Sequence, residues 1–200
     1  MKKILLYFVF ALAATVGYGQ SSIFHLTYDT GLPLGELADY TKNFSGRGMT
    51  FNGRGFVSEN FAIGGSFSWQ VFREKTDDLI RFTDNENVEF DVSGGQVRYV
   101  NSLPMLVTFH YYSGFDGEVR PYFGLGTGAY RMLQRLEIGL VAFENNTWNY
   151  GLAPEVGVYI PVGLGNTGIN LGARYHYILS AKDSPTYQYI NLYVGFGFSN

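Results

Sequence analysis

Seven side chains in this sequence carry polar chemistry at positions where a small β protein could use it. Asp29, Arg54, Glu155 and Arg174 are the charges, and His25, His110 and His176 are the titratable rings. Each belongs to a segment of alternating polarity and stands on the face opposite the bulky apolar residues. Successive strand side chains point to opposite faces, so all seven are expected on one side of a sheet. If that side is the inside of a narrow barrel, the charges must pair, because an isolated buried ion is expensive. The structural expectation is a plug of salt bridges and hydrogen bonds. The functional alternative is a narrow pore or small-ligand site lined by the same groups.

Other chemistries fit less well. The three histidines lie on the first, fourth and seventh alternating segments, with no short spacing joining any two. In a closed eight-stranded barrel the first and seventh strands flank the eighth, so His25 and His176 are the pair that topology could bring together; no further metal ligands accompany them. A hydrolase would need a nucleophile and a base within hydrogen-bond reach, plus an orienting acid. His176 and Ser180 share a strand face, but four residues place them about 13 Å apart. The segment Arg73–Val92 is acidic, with Glu74, Asp77, Asp78, Asp84, Glu86, Glu89 and Asp91, yet it lacks the spacing of a calcium loop. Within it Ile80, Phe82, Val88 and Phe90 alternate with polar residues, which predicts a hairpin turning at Asp84–Asn87. No catalytic residue, cofactor or metal site is expected.

Eight segments of period two position these residues. They run over Ile23–Thr30, Arg47–Val57, Phe61–Phe72, Gln96–Tyr112, Val119–Leu133, Asn149–Ile160, Gly168–Leu179 and Tyr189–Phe198. The last reads Ile190, Leu192, Val194, Phe196 and Phe198 on one face against Tyr189, Asn191, Tyr193, Gly195 and Gly197 on the other. Pro104 inside the fourth segment predicts a local irregularity. Gly124, Gly126 and Gly128 on one face of the fifth suit a tight barrel with bulky residues opposite. Connections alternate in length: long at 31–46, 73–95 and 134–148, short at 58–60, 113–118 and 161–167, and moderate at 180–188. Outer-membrane barrels have short periplasmic turns and longer extracellular loops. Tyr28, Tyr111, Tyr112, Tyr150, Tyr177 and Tyr189, near segment ends, suit an aromatic girdle.

Composition agrees. Tyr and Phe number 16 and 17 against 2 Trp, and the 26 glycines are about twice the usual share. Mean hydropathy is near zero, as alternation would make it. Lys2 and Lys3, an apolar stretch over Ile4–Val16 and the small residues around Gly17-Tyr18-Gly19 predict a signal peptide over 1–19, with the barrel over 20–200. With no cysteine, disulfides and lipoprotein attachment are excluded. The formal charge of −3 becomes −5 without Lys2 and Lys3, which argues against a nucleic-acid partner.

Several short motifs carry a resemblance: Asn101-Ser102-Leu103-Pro104-Met105-Leu106, then Arg120-Pro121-Tyr122-Phe123-Gly124-Leu125-Gly126-Thr127-Gly128, then Ala153-Pro154-Glu155-Val156-Gly157, and the final aromatic strand. With them the chain resembles the small outer-membrane β-barrels of Bacteroidetes-type bacteria, related in architecture to the OmpA/OmpX/OmpW group. The family's assembly signal has a glycine five residues before the terminal aromatic; here that position is Tyr193, and Ser199 and Asn200 follow Phe198. The resemblance implies an all-β, eight-stranded, antiparallel, up-and-down transmembrane barrel in the bacterial outer membrane. It also implies a monomer whose partners are outer-membrane lipid and, during biogenesis, the barrel assembly machinery. The expected role is structural or surface-interacting. The alternatives are a narrow porin-like channel or carrier for small apolar solutes, a lipid A-modifying enzyme, and a soluble ligand-binding barrel. That last one would turn Phe67, Trp69, Val194 and Phe196 inward.

Overall fold

The computed structural model describes residues 21–76, 80–83, 89–92, 95–114, 118–138, 141–163, 166–182 and 184–200. The expected signal peptide and the expected turn at Asp84–Asn87 lie outside them. The elements are β1 (Ser22–Leu34), a short helix α1 (Glu36–Tyr40), β2 (Ser45–Phe56), β3 (Phe61–Thr76), β4 (Ile80–Thr83), β5 (Glu89–Val92), β6 (Gln96–Tyr112), β7 (Arg120–Ile138), β8 (Val141–Pro161), β9 (Thr167–Ile178) and β10 (Tyr187–Ser199). Eight strands close in the order β1-β10-β9-β8-β7-β6-β3-β2, every neighbour antiparallel, and β4 pairs with β5 as a separate ribbon.

Closure follows from alternation. At the seam β1 pairs with β10 so that Phe24 faces Phe198, Leu26 faces Phe196 and Tyr28 faces Val194, while His25 meets Gly197 and Asp29 meets Tyr193. The first set is exposed and the second points to the lumen. Phe67, Trp69, Val194 and Phe196 are 51%, 46%, 48% and 61% exposed on the outer wall, the reverse of a soluble ligand-binding barrel. On β10 the apolar face runs from Ile190 to Phe198, about the length a tilted transmembrane strand needs.

Three details differ from the sequence expectation. The long connection at 134–148 is mostly sheet: β7 and β8 stay paired out to Ile138 and Val141. Arg135 holds that ribbon by bonding Glu137 on its own strand (2.7 Å) and Glu144 across (3.0 Å). The first connection is shortened, because β1 reaches Leu34 and α1 follows at once. Tyr112 and Tyr189 are not girdle residues. They share strand parity with His110 and Asn191, so both are buried in the lumen, while Tyr28, Tyr111, Tyr150 and Tyr177 keep outward positions.

Pro104 brings the irregularity expected of it. The β3–β6 ladder pairs Phe67 with Met105 and resumes at Gln70 with Ser102, omitting the two pairs between. Proline offers no N–H to a ladder. Pro154 does the same on β8, where pairing with β9 skips from Leu152–Tyr177 to Glu155–Arg174.

Two apolar layers fill the lumen on either side of a polar centre. Toward the short turns lie Ile23, Phe56, Ala62, Tyr112, Tyr122 and Tyr159. Toward the long connections lie Phe72, Tyr130, Met132, Ile178 and Tyr189, with Leu37 of α1 buried among them. Tyr40 closes this end by donating to the Arg135 carbonyl (3.3 Å) under the Arg98 guanidinium.

Glycines on the inner wall make room for those rings. A Cβ at Gly168 would sit 2.5–2.7 Å from atoms of the Tyr159 ring and hydroxyl, too close for either to stay. Gly168→Val is therefore expected to cost on the order of 1–3 kcal/mol through overpacking. Urea unfolding in detergent checks this, and adding Tyr159→Ala is expected to recover much of the loss as a non-additive coupling. Simple additivity of the two changes would refute the packing account.

Candidate functional site

The polar centre is built from strands on opposite walls. In the closed order β2 and β8 stand four places apart in either direction, so they are diametrically opposed. Arg54 of β2 nevertheless reaches Glu155 of β8, its Nη2 donating to Oε1 at 2.7 Å. Arg174 of β9 lies directly opposite Glu155 in the ladder; its Nε donates to Oε2 at 2.7 Å, and its Nη2 forms an ion pair with the same oxygen at 2.5 Å. One carboxylate thus holds two guanidiniums. These are charge-assisted bonds, which are shorter and stronger than neutral ones.

Neutral groups complete the shell. Arg54 Nη1 donates to the Tyr112 hydroxyl (2.6 Å), and its guanidinium lies 4.7 Å from the Tyr122 ring centre. Tyr193 donates to Glu155 Oε1 (2.9 Å) and bonds the Tyr122 hydroxyl (2.7 Å). Tyr122 also reaches Asn170 (2.9 Å). Arg174 spends its remaining donors on Ser66 Oγ and Asn52 Oδ1, at 3.3 and 3.4 Å. His110 lies alongside, Nε2 at 3.6 Å from Glu155 Oε2 and its ring edge-on to Tyr122.

All seven expected residues are buried and face the lumen, but they do not form one cluster. Arg54, Glu155, Arg174 and His110 do. Asp29 sits apart, accepting from the hydroxyls of Thr27 (2.6 Å) and Thr50, with Ser68 bonded to Thr50 behind. His176 belongs to the layer near the long connections, stacked on Tyr189 at 4.3 Å and bonded to the Tyr130 hydroxyl (2.9 Å). His25 packs edge-on to Tyr159 in the other layer. The pairing of His25 with His176 that topology allowed does not occur. On β10 they lie beside Gly197 and Tyr189, eight residues or about 26 Å apart.

Sequence reading missed the part played by tyrosine. Tyr112, Tyr122 and Tyr193 supply three hydroxyls to the charge network, and strand parity was the signal that marked them as inward. The departure at Tyr193 finds its reason here. Its ring occupies the space that a side chain at the facing Gly172 would need, so the glycine stands on the partner strand instead.

The arrangement can stitch opposite walls together and obstruct the lumen. A second tie, Ser102 of β6 to Tyr189 of the opposed β10, spans it at another height (2.9 Å). An apolar outer wall around a narrow, polar, filled lumen defines a transmembrane β-barrel.

The chain belongs to the OmpW family, whose model matches residues 56–187, and it is a protein of the bacterial outer membrane. No curated protein sequence matches it. Among solved structures it is similar to Ail, the attachment invasion locus protein of Yersinia pestis, at 14% identity and TM-score 0.51, covering 91% of this chain and 99% of that one. It is also similar to neisserial surface protein A, at 14% identity and TM-score 0.51, covering 89% and 96%. The outer membrane protein OprG from Pseudomonas aeruginosa matches at 14% and 0.50, covering 91% and 96%. At such identities these likenesses speak for the fold alone.

Removing the shared carboxylate should strand two buried cations. Glu155→Gln is expected to destabilise the barrel by about 3–5 kcal/mol, as broken buried pairs do. The triple change Arg54→Met, Glu155→Leu, Arg174→Met should be far milder, because no charge is left unpaired. Equilibrium unfolding in lipid vesicles measures both, and a triple variant as unstable as Glu155→Gln would contradict this account.

Proposed function

We propose that this protein is a non-enzymatic outer-membrane barrel with a structural or surface-interaction role, its long connections extracellular and its short turns and both termini periplasmic. The observation that carries the reading is the Arg54–Glu155–Arg174 tie across the lumen, with a packed layer on either side. A filled lumen weighs against the channel and carrier alternatives. It leaves the outer wall and the projecting ends as the surfaces available for contact. The separation of His176 from the Arg–Glu cluster, and of both from Asp29, weighs against a lipid A-modifying centre, which needs its acid, base and nucleophile together. The barrel acts as a monomer among outer-membrane lipids, delivered by a signal peptide over residues 1–19 and inserted by the assembly machinery.

Orientation is supported by the contrast between the two ends. One carries α1, the β4–β5 ribbon and the extended β7–β8 ribbon, and the other only the turns at 57–60, 113–119 and 162–166. The chain has no cysteine, so single introduced thiols report cleanly. Ser180→Cys in the β9–β10 connection, at the same end as the long connections, is expected to react with a membrane-impermeant maleimide on intact cells, and Glu118→Cys in a short turn only after permeabilisation. The opposite pattern would invert the barrel. In planar bilayers the inserted protein is expected to pass no steady current; a reproducible unitary conductance would favour the channel.

A further inference from the structure

Three open grooves run end to end down the outer wall of β2, β3 and β6. The uppermost, about 380 Å³, lies toward the long connections and is lined by Arg47, Arg73 and Lys75 with Asn43 and Phe44. Arg47 also lines the next, about 580 Å³, whose walls include Tyr28, Trp69 and Tyr99. Met49 and Trp69 continue into the third, about 410 Å³, with Leu26, Phe51, Phe67 and Leu103. From Arg73 to Phe67 the track follows six residues of β3, about 20 Å, the length scale of a lipid headgroup with the upper part of its acyl chain.

Its shape has a local cause. The two β3–β6 pairs omitted beside Pro104 join Ser68 and Trp69 to Pro104 and Leu103. Trp69 and Leu103 line the lowest groove where that ladder is interrupted. The Trp69 indole N–H turns to Asn101 (3.3 Å) on the next strand.

Its chemistry is graded. Arg73 and Lys75 are exposed on the outer face of β3, two residues apart. The register that pairs Gly48 with Gln70 sets Arg47 beside Val71, so the three cations lie within about 13 Å along the wall. Among the described residues none of the three forms an ion pair, whereas the nearby outer carboxylates Glu137 and Glu144 are both held by Arg135. Arg73 lies over the Tyr99 ring at 5.4 Å. Below the cations come aromatics of the interface type, and below those only apolar walls.

We propose that this track is a binding site for a phosphorylated, acylated glycolipid of the outer leaflet, of the lipid A type. The phosphates would sit among Arg47, Arg73 and Lys75, and an acyl chain would lie along Trp69, Met49 and Phe67. Guanidiniums suit phosphate through paired donors. Three cations over this span suit a headgroup with more than one phosphate better than a phospholipid with one. The cations also stand at one end of the wall, whereas Arg120 at the short-turn end faces the lumen, where it bonds the Glu59 carbonyl (2.6 Å) and lies over Phe56. The inference rests on the proposed orientation, which puts this end in the outer leaflet.

Native mass spectrometry of the full barrel in nanodiscs tests it against three lipids: diphosphorylated lipid A, its dephosphorylated form, and phosphatidylglycerol. The first is expected to be retained roughly tenfold more than either other, and Arg47→Gln/Arg73→Gln/Lys75→Gln should abolish that preference. Heat-modifiable gel migration reports that the variant is folded, and Arg73→Gln alone serves if it is not. Arg131→Gln/Lys182→Gln removes charges outside the three grooves and should retain the preference. Equal retention of all three lipids, full retention by the triple variant, or a lipid-free dimer through this face would overturn the proposal. Phosphatidylglycerol held as well as lipid A would overturn the glycolipid assignment in particular. The maleimide labelling reads orientation independently, so an inverted barrel and an absent site give different results.

Discussion

In a bilayer core no water is present to satisfy a backbone N–H or C=O, so every strand must find a partner on both sides and the sheet must close. Here closure uses eight strands, with β1 against β10 completing the ring. An eight-stranded ring leaves an interior only wide enough for side chains. Most of the interior architecture is a consequence. Inward residues reach strands three or four places away, as Arg54 reaches Glu155 and Ser102 reaches Tyr189. Large rings can enter only where the facing wall is bare, which is why Tyr159 lies against Gly168 and Tyr193 against Gly172.

The same narrowness explains why buried charge is tolerated. Two guanidiniums and one carboxylate at the centre neutralise much of one another's cost, and further bonds go to Tyr112, Tyr193, Ser66 and Asn52, with Arg54 Nε left without a hydrogen-bond partner among the described residues. Asp29 shows another solution, a carboxylate held by hydroxyls rather than by a cation. Charge in this position also fixes register. Slipping β8 by one residue would turn Glu155 to the lipid face and bring Pro154 or Val156 to the two arginines. A fully apolar lumen would carry no such penalty for misalignment, so the network selects one closure among several that alternation alone would allow.

The barrel was legible in the sequence because lipid and lumen impose opposite demands on successive residues, and that opposition is written at period two. Strand count and the faces of β1, β3 and β10 follow from it, and the break at Pro104 follows from proline's missing N–H. Extent was harder to read. Beyond the bilayer the outward face no longer needs to be apolar, so the β7–β8 ribbon, rich in Arg, Glu and Asn, looked like a loop although its ladder continues. Tyr112 and Tyr189 show a second limit. Tyrosine is amphipathic and suits an interface belt or a polar lumen equally, so residue type was silent and only parity with His110 and Asn191 decided. The site was legible to the level of which side chains face inward. Which of them meet was not, because contacts such as Arg54 to Glu155 join residues 101 apart in sequence and depend on where each strand sits along the axis.

What distinguishes this barrel from a generic one lies in the asymmetry of its two ends. The turns at 57–60, 113–119 and 162–166 are brief and carry Glu59 and Glu118, as befits connections that only reverse the chain. The other end invests in structure that closure does not require: a helix that seals the lumen with Leu37, a separate β4–β5 ribbon, and strands prolonged past the apolar band. Cations gather there on the outer wall beside aromatic rings, while Arg54 and Arg174 at the centre of the lumen are bound to Glu155. A plug at the centre and, at one rim, outer-wall cations that form no ion pair among the described residues divide the labour between them: the interior holds the barrel in one register, and in the proposed orientation the decorated end faces outward.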